Sequence, residues 1–315
     1  MRSRIVIATA LAGVLLTGLT TAQATGRAET TEKHSEVARA FTATDRSTTW
    51  TQVARIPLRF PTYHPQGFAL VGDLIFLSSV EVLEAPVKYP VPVDGYDRTP
   101  GKGIGHLFVL DRQGNLKRDI RLGEGTAYHP GGIDFDGRDV WVPVAEYRPN
   151  SLAIVYTVDP KTYRVTERFR ANDHVGGVVR DRTTGQIHGV SWGSRTLYNW
   201  TPTGHRLERV ANESHLLDYQ DCDYTSRGKQ LCGGVTSLPG PKGSYDLGGL
   251  ALLDLRTNRI LHEIPFPYFS QTGHNATRNP VALETTKDKL RLFTAPDDGE
   301  DSTGTEIQIY ESPLS

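Results

Sequence analysis

Three histidines occupy related positions in a repeated pattern of this chain. Each precedes a turn glycine: the pairs are His64 and Gly72, His129 and Gly137, and, with three additional residues between them, His174 and Gly185. Glu81 and Glu146 follow the first two of these glycines by nine residues. Neutral imidazole nitrogens bind Zn, Cu, Fe or Ni, and a nearby carboxylate can orient a metal-bound imidazole or transfer a proton. The pattern therefore indicates metal binding or acid/base chemistry, provided that the fold brings these residues together.

The pattern recurs in two weaker copies, which begin at Gln220 and Asn279. Repeats of roughly 45 to 65 residues that each hold several short strands are typical of propellers and solenoids. The last copy has only three strands, whereas the alternating segment 51–60 near the N-terminus has no partner of its own. We therefore predict an all-β, five-bladed β-propeller closed by an N-terminal strand that completes the last blade. A β-sandwich is the alternative, but it does not explain five copies in phase.

In a propeller blade, the start of the first strand and the end of the second lie at the same end of the central channel. Three long connections, 82–104, 238–247 and 296–305, open at that end, where binding sites generally lie. The residues predicted to bind a ligand at this mouth are His64, Gln66, His129, His174, Gln220, Asn279 and Asp297. Glu81 and Glu146 are the candidate acid/base pair, and His64, His129 and His174 are candidate ligands of a divalent metal.

Each of these residues has a structural interpretation as well. The histidines can tie neighbouring blades together by hydrogen bonds, and the glutamates can be solvated charges on the rim. The acidic segment 297–301 can bind Ca²⁺ or remain a solvated turn. Trp141, Trp192 and Trp200 can stack on a ligand or pack within the blades.

The N-terminus predicts export. Arg2 and Arg4 precede an apolar run and a small-residue cleavage site, so we interpret residues 1–24 as a Sec-type signal peptide of a secreted protein. Residues 25–48 are predicted to be a flexible segment and 49–315 a single propeller domain. With 35 basic and 36 acidic residues and no basic cluster, nucleic acid and membrane are not expected partners. The expected partner is a small molecule or a peptide, and we expect the protein to be a monomer.

The chain has two cysteines, Cys222 and Cys232, which flank the turn at Gly228. This spacing allows them to face each other on adjacent antiparallel strands, so we predict a disulfide bond. The alternative is a pair of free thiols or metal ligands, although the spacing matches no familiar zinc motif.

The segment His64-Pro65-Gln66-Gly67-Phe68, followed by Leu74-Ile75-Phe76, resembles the opening blade of the five-bladed propeller glutaminyl cyclotransferases. The resemblance extends over the blade plan from about residue 50 to 311 and implies the same fold. It does not extend to the catalytic acid of that family, because Leu77 occupies its position; Glu81 is the nearest carboxylate. The chain also resembles an uncharacterised family of secreted bacterial propeller proteins.

From these observations we expect a secreted propeller that binds a small polar or peptide-like ligand at the mouth. The alternative is an enzyme, an acid/base or metal-assisted transferase, lyase or hydrolase, that uses the same residues. The cofactor remains unknown, with a divalent metal at the mouth as one possibility.

Overall fold

The computed structural model describes residues 36–240 and 243–314. Its strands form five antiparallel sheets that stand around a central axis as the blades of a β-propeller, which confirms the predicted fold class. The predicted signal peptide, residues 1–24, lies outside the described residues.

The N-terminal strand closes the ring as predicted. Strand β1 (Thr51–Pro57) pairs with the outermost C-terminal strand of the last blade, β23 (Glu306–Pro313), through a register that runs from Thr51 opposite Glu311 to Pro57 opposite Glu306. The last blade therefore contains strands from both ends of the chain. Because β1 leads directly into blade 1, its hydrogen bonds to β23 hold the first and last blades together and close the ring.

The other strands follow the blade plan. Blade 1 contains, from the axis outward, β2 (His64–Val71), β3 (Leu74–Glu84), β6 (Lys102–Asp111) and β7 (Leu116–Leu122). Between β3 and β6, strands β4 (Lys88–Val93) and β5 (Tyr96–Arg98) form a separate hairpin. Blade 2 contains β8 (Ala127–Pro130) and β9 (Asp134–Phe135) as an interrupted inner strand, then β10 (Val140–Glu146), β11 (Ala153–Val158) and β12 (Val165–Ala171).

Blade 3 contains β13 (Val175–Arg180), β14 (Ile187–Ser191), β15 (Thr196–Trp200) and β16 (Arg206–Ala211). Blade 4 contains β17 (Asp218–Tyr224), β18 (Lys229–Gly240), β19 (Gly243–Asp254) and β20 (Arg259–Pro265). Blade 5 contains β21 (Val281–Thr285), β22 (Lys289–Thr294), β23 and β1.

The hydrophobic core is divided among the five interfaces between adjacent blades. Each interface holds one cluster of buried apolar side chains contributed by both sheets, for example Phe76 of blade 1 and Val142 of blade 2. Alternation along the strands places one apolar face of every sheet against each neighbour, so the blades are stabilised mainly by burial of these faces.

Two buried aspartates connect the inner strands around the axis. Asp221 of blade 4 accepts hydrogen bonds from the backbone N–H groups of Phe68, Ile133 and Val281, at 2.7, 3.0 and 3.1 Å, and thereby joins blades 1, 2 and 5. Asp134 of blade 2 accepts from the N–H groups of blades 3 and 4 at 3.2 and 3.1 Å. Burial raises the pKa of Asp221 well above its usual value and that of Asp134 to about 6.

The inner strands approach so closely below the mouth that side chains do not fit there. A Cβ on Gly132 would lie 2.6 Å from the carbonyl oxygen of Gln220, and one on Gly67 would lie 2.7 Å from the Cα of Gly132. Only glycine permits such backbone contact. This layer therefore bounds the mouth from below.

The segment that precedes the first strand differs from the prediction of flexibility over 25–48. Within its described part, residues 36–42 form a helix, and Val37, Ala38 and Phe41 are buried against blades 4 and 5. The ring of Phe41 packs edge-on against His262 at 5.3 Å. This helix was not predicted because only a single turn carries its apolar residues. In residues 36–240 and 243–314, no helix has the length and hydrophobicity that crossing a membrane requires.

The disulfide prediction is confirmed. Cys222 and Cys232 are direct partners on β17 and β18 and are bonded to each other, so the alternative of free thiols or a metal pair is wrong. Both cysteines are buried at the interface of blades 3 and 4.

Candidate functional site

Three consecutive blades place a histidine at the same point of the mouth. His64 lies opposite Val80 and His129 opposite Ala145 across the first hairpin of their blades. His174 immediately precedes the Val175–Ser191 pair of blade 3, just as His64 immediately precedes the Pro65–Ser79 pair of blade 1. His129 and His174 are buried, with ring centroids 5.8 Å apart. The structure thus brings the three predicted histidines to one end of the channel.

The other two blades are out of register with the predicted alignment. In blade 4, Asp218 is the equivalent of the histidines, because it lies two residues before the bulge at Gln220 just as His64 lies two before the bulge at Gln66. Counting eight residues back from Gly228 fails there, since the hairpin of blade 4 has two additional residues. Gln220 therefore corresponds to Gln66 and lies two residues further along the inner strand than the histidine position. Its amide donates to the Asp218 carbonyl at 3.5 Å.

Blade 5 is shifted in the same way. Val281 and Phe68 both donate to Asp221, and they lie opposite Thr294 and Leu77 respectively. It follows that Asn279 corresponds to Gln66 and that Asp298, rather than the predicted Asp297, corresponds to Glu81 and Glu146. Asn279 is 4% exposed and its Nδ2 has no hydrogen-bond partner, while Gln66 donates to the Pro65 carbonyl at 3.0 Å.

Two of the mouth histidines are surrounded by aromatic rings. The His129 ring lies 4.2 Å from Tyr147, and the His174 ring lies 4.8 Å from Trp192. Tyr147 and Trp192 are in turn 5.8 Å apart, which closes a four-ring cluster of His129, His174, Tyr147 and Trp192. The guanidinium of Arg98, from the β4–β5 hairpin, lies 4.9 Å over the Trp192 ring. Trp141 and Trp200, in contrast, are buried between blades 2 and 3.

His129 is the unusual member of this cluster. His174 Nδ1 bonds to the Glu146 carbonyl of the preceding blade at 2.8 Å, and His64 bonds to the preceding blade as well, but the buried Nδ1 of His129 has no hydrogen-bond partner. Burial, reinforced by the neighbouring imidazoles of His174 and His64, lowers the pKa of His129 well below its usual value, and burial lowers that of His174 to about 4. Both imidazoles are therefore neutral at pH 7.

An ion-pair network lines the other side of the mouth. His64 Nδ1 lies 2.5 Å from Asp298 Oδ1, and Arg278 Nη2 lies 3.3 Å from Asp298 Oδ2. Burial raises the pKa of Asp298, but its hydrogen bond to His64 and the charges of His64 and Arg278 outweigh burial, and the pKa is lowered. Burial and the negative charge of Asp298 raise the pKa of Tyr147, so its phenol keeps its proton.

The two predicted acid/base glutamates are already engaged. Glu146 is 7% exposed and is held by Arg148 Nε at 2.6 Å and Thr126 Oγ1 at 2.5 Å. Glu81 lies 3.5 Å from Nε2 of His106, a buried histidine that was not among the predicted residues and that stacks on Tyr63 at 5.0 Å. Neither carboxylate belongs to the four-ring cluster.

The predicted Asp297 is fully buried and belongs to a separate group. Its Oδ1 lies 2.6 Å from Thr272 Oγ1 and 3.2 Å from His274 Nδ1. Among the described residues, the group of potential metal ligands whose atoms lie within 4.8 Å of one another is His274, Asp297 and Asp301, not the three predicted histidines.

Four members of the site were not predicted from the sequence: Arg98, Tyr147, His274 and Arg278. Each lies in or next to a connection at the mouth, outside the repeated positions. Trp192 was considered only as one of three tryptophans, and Asp298 only as part of the acidic segment 297–301. The signal that was available is position in the repeat, because Tyr147 and Asp298 are within one residue of the predicted glutamate position.

Comparisons with known proteins identify a family. The profile of a family of unknown function, DUF6454, matches residues 36–314. The curated proteins contain no match to this chain.

Solved structures with a similar fold include a luciferin-regenerating enzyme, at 10% identity and a TM-score of 0.46, over 84% of this chain and 95% of that one. A chain of a nidogen/laminin complex aligns at 10% identity and a TM-score of 0.39, over 64% of this chain and 80% of that one. Hydrazine synthase of Kuenenia stuttgartiensis aligns at 9% identity and a TM-score of 0.40, over 84% of this chain and 66% of that one.

Similarities at this level concern the arrangement of strands and do not transfer a function. The sequence profile, in contrast, spans all five blades and the N-terminal helix. The chain belongs to the family of unknown function DUF6454.

Proposed function

We propose that this protein binds a small polar or peptide-like ligand at the mouth of the channel, and that it is exported before it does so. Export is supported by the leader-like N-terminus and by the disulfide, which is typical of oxidising compartments. The ligand proposal depends on the mouth alone.

The observation that carries the proposal is His129. A buried imidazole nitrogen without a partner is unfavourable by about 1 to 3 kcal/mol, and proteins generally satisfy such groups with a ligand or water. Here the nitrogen belongs to the four-ring cluster, so a bound group meets a polar atom and aromatic faces together. A planar polar group such as an amide fits both, because it can stack on a ring and exchange hydrogen bonds at its edge.

The ion-pair network adds specificity. Asp298 and Arg278 present one acceptor and one donor on one side of the mouth. A zwitterionic or amide-containing ligand can exchange hydrogen bonds with this ion pair, whereas a purely apolar ligand would remove the pair from water without adding a hydrogen bond.

Trp192 provides a direct test. The protein has four tryptophans, of which Trp50, Trp141 and Trp200 are buried at 4, 2 and 4% exposure, so a ligand at the mouth changes the fluorescence of Trp192. We would titrate the mature protein with capped dipeptides, free amino acids and monosaccharides, following fluorescence and melting temperature. One amide-containing class is expected to alter both.

The matched variants are Trp192→Phe, His129→Leu and, as a control, His205→Leu at an exposed position of blade 3. The fluorescence response should disappear in the first, the melting shift should fall in the second, and both should persist in the control. Binding that survives Trp192→Phe and His129→Leu unchanged, or no response to any class at millimolar concentration, would contradict the proposal.

A second candidate function is acid/base catalysis by His64. A carboxylate that holds Nδ1 of a histidine fixes its tautomer and leaves Nε2 to accept a proton, as the 2.5 Å contact with Asp298 does here. If a ligand of the first experiment is turned over, mass spectrometry of the mixture will reveal the product, and Asp298→Asn should slow the reaction while His205→Leu does not.

The resemblance to glutaminyl cyclotransferases supplies one defined reaction for this test. Leu77, which occupies the position of their catalytic acid, is fully buried in β3. We therefore expect no release of pyroglutamate from a peptide with N-terminal glutamine. Release that depends on Glu81 would instead support the enzyme.

A further inference from the structure

A compact set of nitrogen and oxygen atoms lies beside the ion-pair network. His274, in the connection between blades 4 and 5, directs Nδ1 to within 3.2 Å of Asp297 Oδ1 and 3.4 Å of Asp301 Oδ2. Both aspartates belong to the connection between β22 and β23. The three ligand atoms all lie within 4.8 Å of one another.

These distances match the geometry of a bound metal ion. Zn²⁺ binds imidazole nitrogen and carboxylate oxygen at about 2.0 to 2.2 Å, so tetrahedral ligands lie about 3.4 Å apart. The two measured separations from His274 Nδ1 are therefore those of ligands that share one ion.

Asp297 supplies an independent observation. Its side chain is fully buried, and while Oδ1 contacts Thr272 and His274, Oδ2 has no hydrogen-bond partner. An unpaired oxygen of a buried carboxylate is strongly unfavourable unless a cation balances it.

Arg278 is the group that a metal ion would replace. Its Nη1 lies 3.1 Å from His274 Nδ1, and because a guanidinium can only donate, the single lone pair of this nitrogen accepts from Arg278 here. An ion bound to Nδ1 takes the place of that donor, and Arg278 keeps its contacts with the Pro296 carbonyl and Asp298.

The local charge points the same way. Asp297, Asp298 and Asp301 bring three negative charges to this corner, against one positive charge from Arg278, which is paired with Asp298. The carboxylates of this corner therefore outnumber its guanidinium by two, and this excess of negative charge favours a divalent cation.

We infer that His274, Asp297 and Asp301 bind a divalent first-row metal ion, of the Zn²⁺ or Mn²⁺ type. The imidazole makes these ions a better match than Ca²⁺, which takes six to eight oxygen ligands. Three protein ligands leave a position free for water or a substrate, as in catalytic zinc sites. This inference does not depend on the proposed ligand at the mouth.

The test uses the mature chain, stripped of metal with a chelator and titrated with ZnCl₂ or MnCl₂. Calorimetry and elemental analysis should give one ion per chain, with a higher melting temperature. Asp301→Asn and His274→Gln should each weaken binding at least about tenfold, because losing even a residue that only orients a metal ligand weakens binding by about 10- to 100-fold.

Two control variants show whether the ion is bound by these three residues. Glu300→Gln removes an equal charge from an exposed position of the same loop and should leave affinity within about twofold, as expected for a screened surface charge. His129→Leu should also retain the metal. No stoichiometric binding of either ion to the wild type, or equal affinity in Asp301→Asn and Glu300→Gln, would overturn the inference; loss of the ion in His129→Leu alone would assign it to the mouth histidines.

Discussion

Removing the carboxylate of Asp221 should destabilise the whole propeller. This side chain is fully buried and accepts three backbone hydrogen bonds from three other blades. In Asp221→Ala, three buried N–H groups lose their partner at about 1 to 3 kcal/mol each, so we expect a loss of about 3 kcal/mol or more. That is a large part of the roughly 5 to 15 kcal/mol by which a domain of ordinary stability is folded.

The isosteric variant Asp221→Asn refines the expectation. Oδ2 accepts from Phe68 and Val281 and Oδ1 from Ile133, so the single oxygen of an asparagine can keep two bonds. Its amide group then meets the Ile133 N–H, donor against donor. We expect Asp221→Asn to lie between the wild type and Asp221→Ala.

Urea denaturation followed by circular dichroism measures these differences through the midpoint and slope. The matched control is Asp159→Ala, which also removes a carboxylate that accepts two backbone N–H groups, but in an exposed turn where water replaces it. If Asp221→Ala is no more destabilising than Asp159→Ala, the role assigned to Asp221 is wrong.

Two further predictions concern stability. Replacing both Cys222 and Cys232 by alanine should lower the free energy of unfolding by about 3 kcal/mol, the chain-entropy effect of a ten-residue separation, measured by urea denaturation without reductant; an unchanged midpoint would contradict it. Burial lowers the pKa of His174 from 6.5 to about 4, so between these pH values the unfolded chain binds a proton at His174 and the folded chain does not. The contribution of neutral His174 to stability is therefore complete above pH 6.5, and about 3 kcal/mol of it is lost as the pH falls toward 4. Denaturation at pH 7 and pH 4.5 should show a smaller acid effect in His174→Gln than in the wild type or in His205→Gln, and equal acid effects would refute the assignment.

The repeat pattern accounts for much of the fold. Turn glycines Gly72, Gly137, Gly185 and Gly228 all have positive φ, as turns in these hairpins require. Apolar alternation and the spare strand at 51–60 are local features, so they could be recognised without knowing what they contact. The disulfide was predictable for the same reason, since its two residues lie on one hairpin.

Which residues occupy the same position in different blades was harder to predict. Counting residues from the turn glycine identifies them only when the first hairpins have equal length, and those of blades 3 and 4 are longer. The structure identifies Asp218 and Asp298 through pairing and hydrogen bonds, which do not change when a turn lengthens.

The amino-acid sequence by itself determined the five-bladed plan, its closure by the N-terminal strand, the cysteine pair and the presence of three histidines at one end of the channel, because periodicity and turn chemistry act over a few residues. Only the tertiary structure decided which groups meet: His64 and Asp298 are 234 residues apart, and His274 meets Asp297 and Asp301 only because two connections from neighbouring blades meet above the ring. Ring closure sets these distances, and no local pattern encodes it. The unpartnered atoms of His129 and Asp297 are likewise results of burial, which depends on every blade at once.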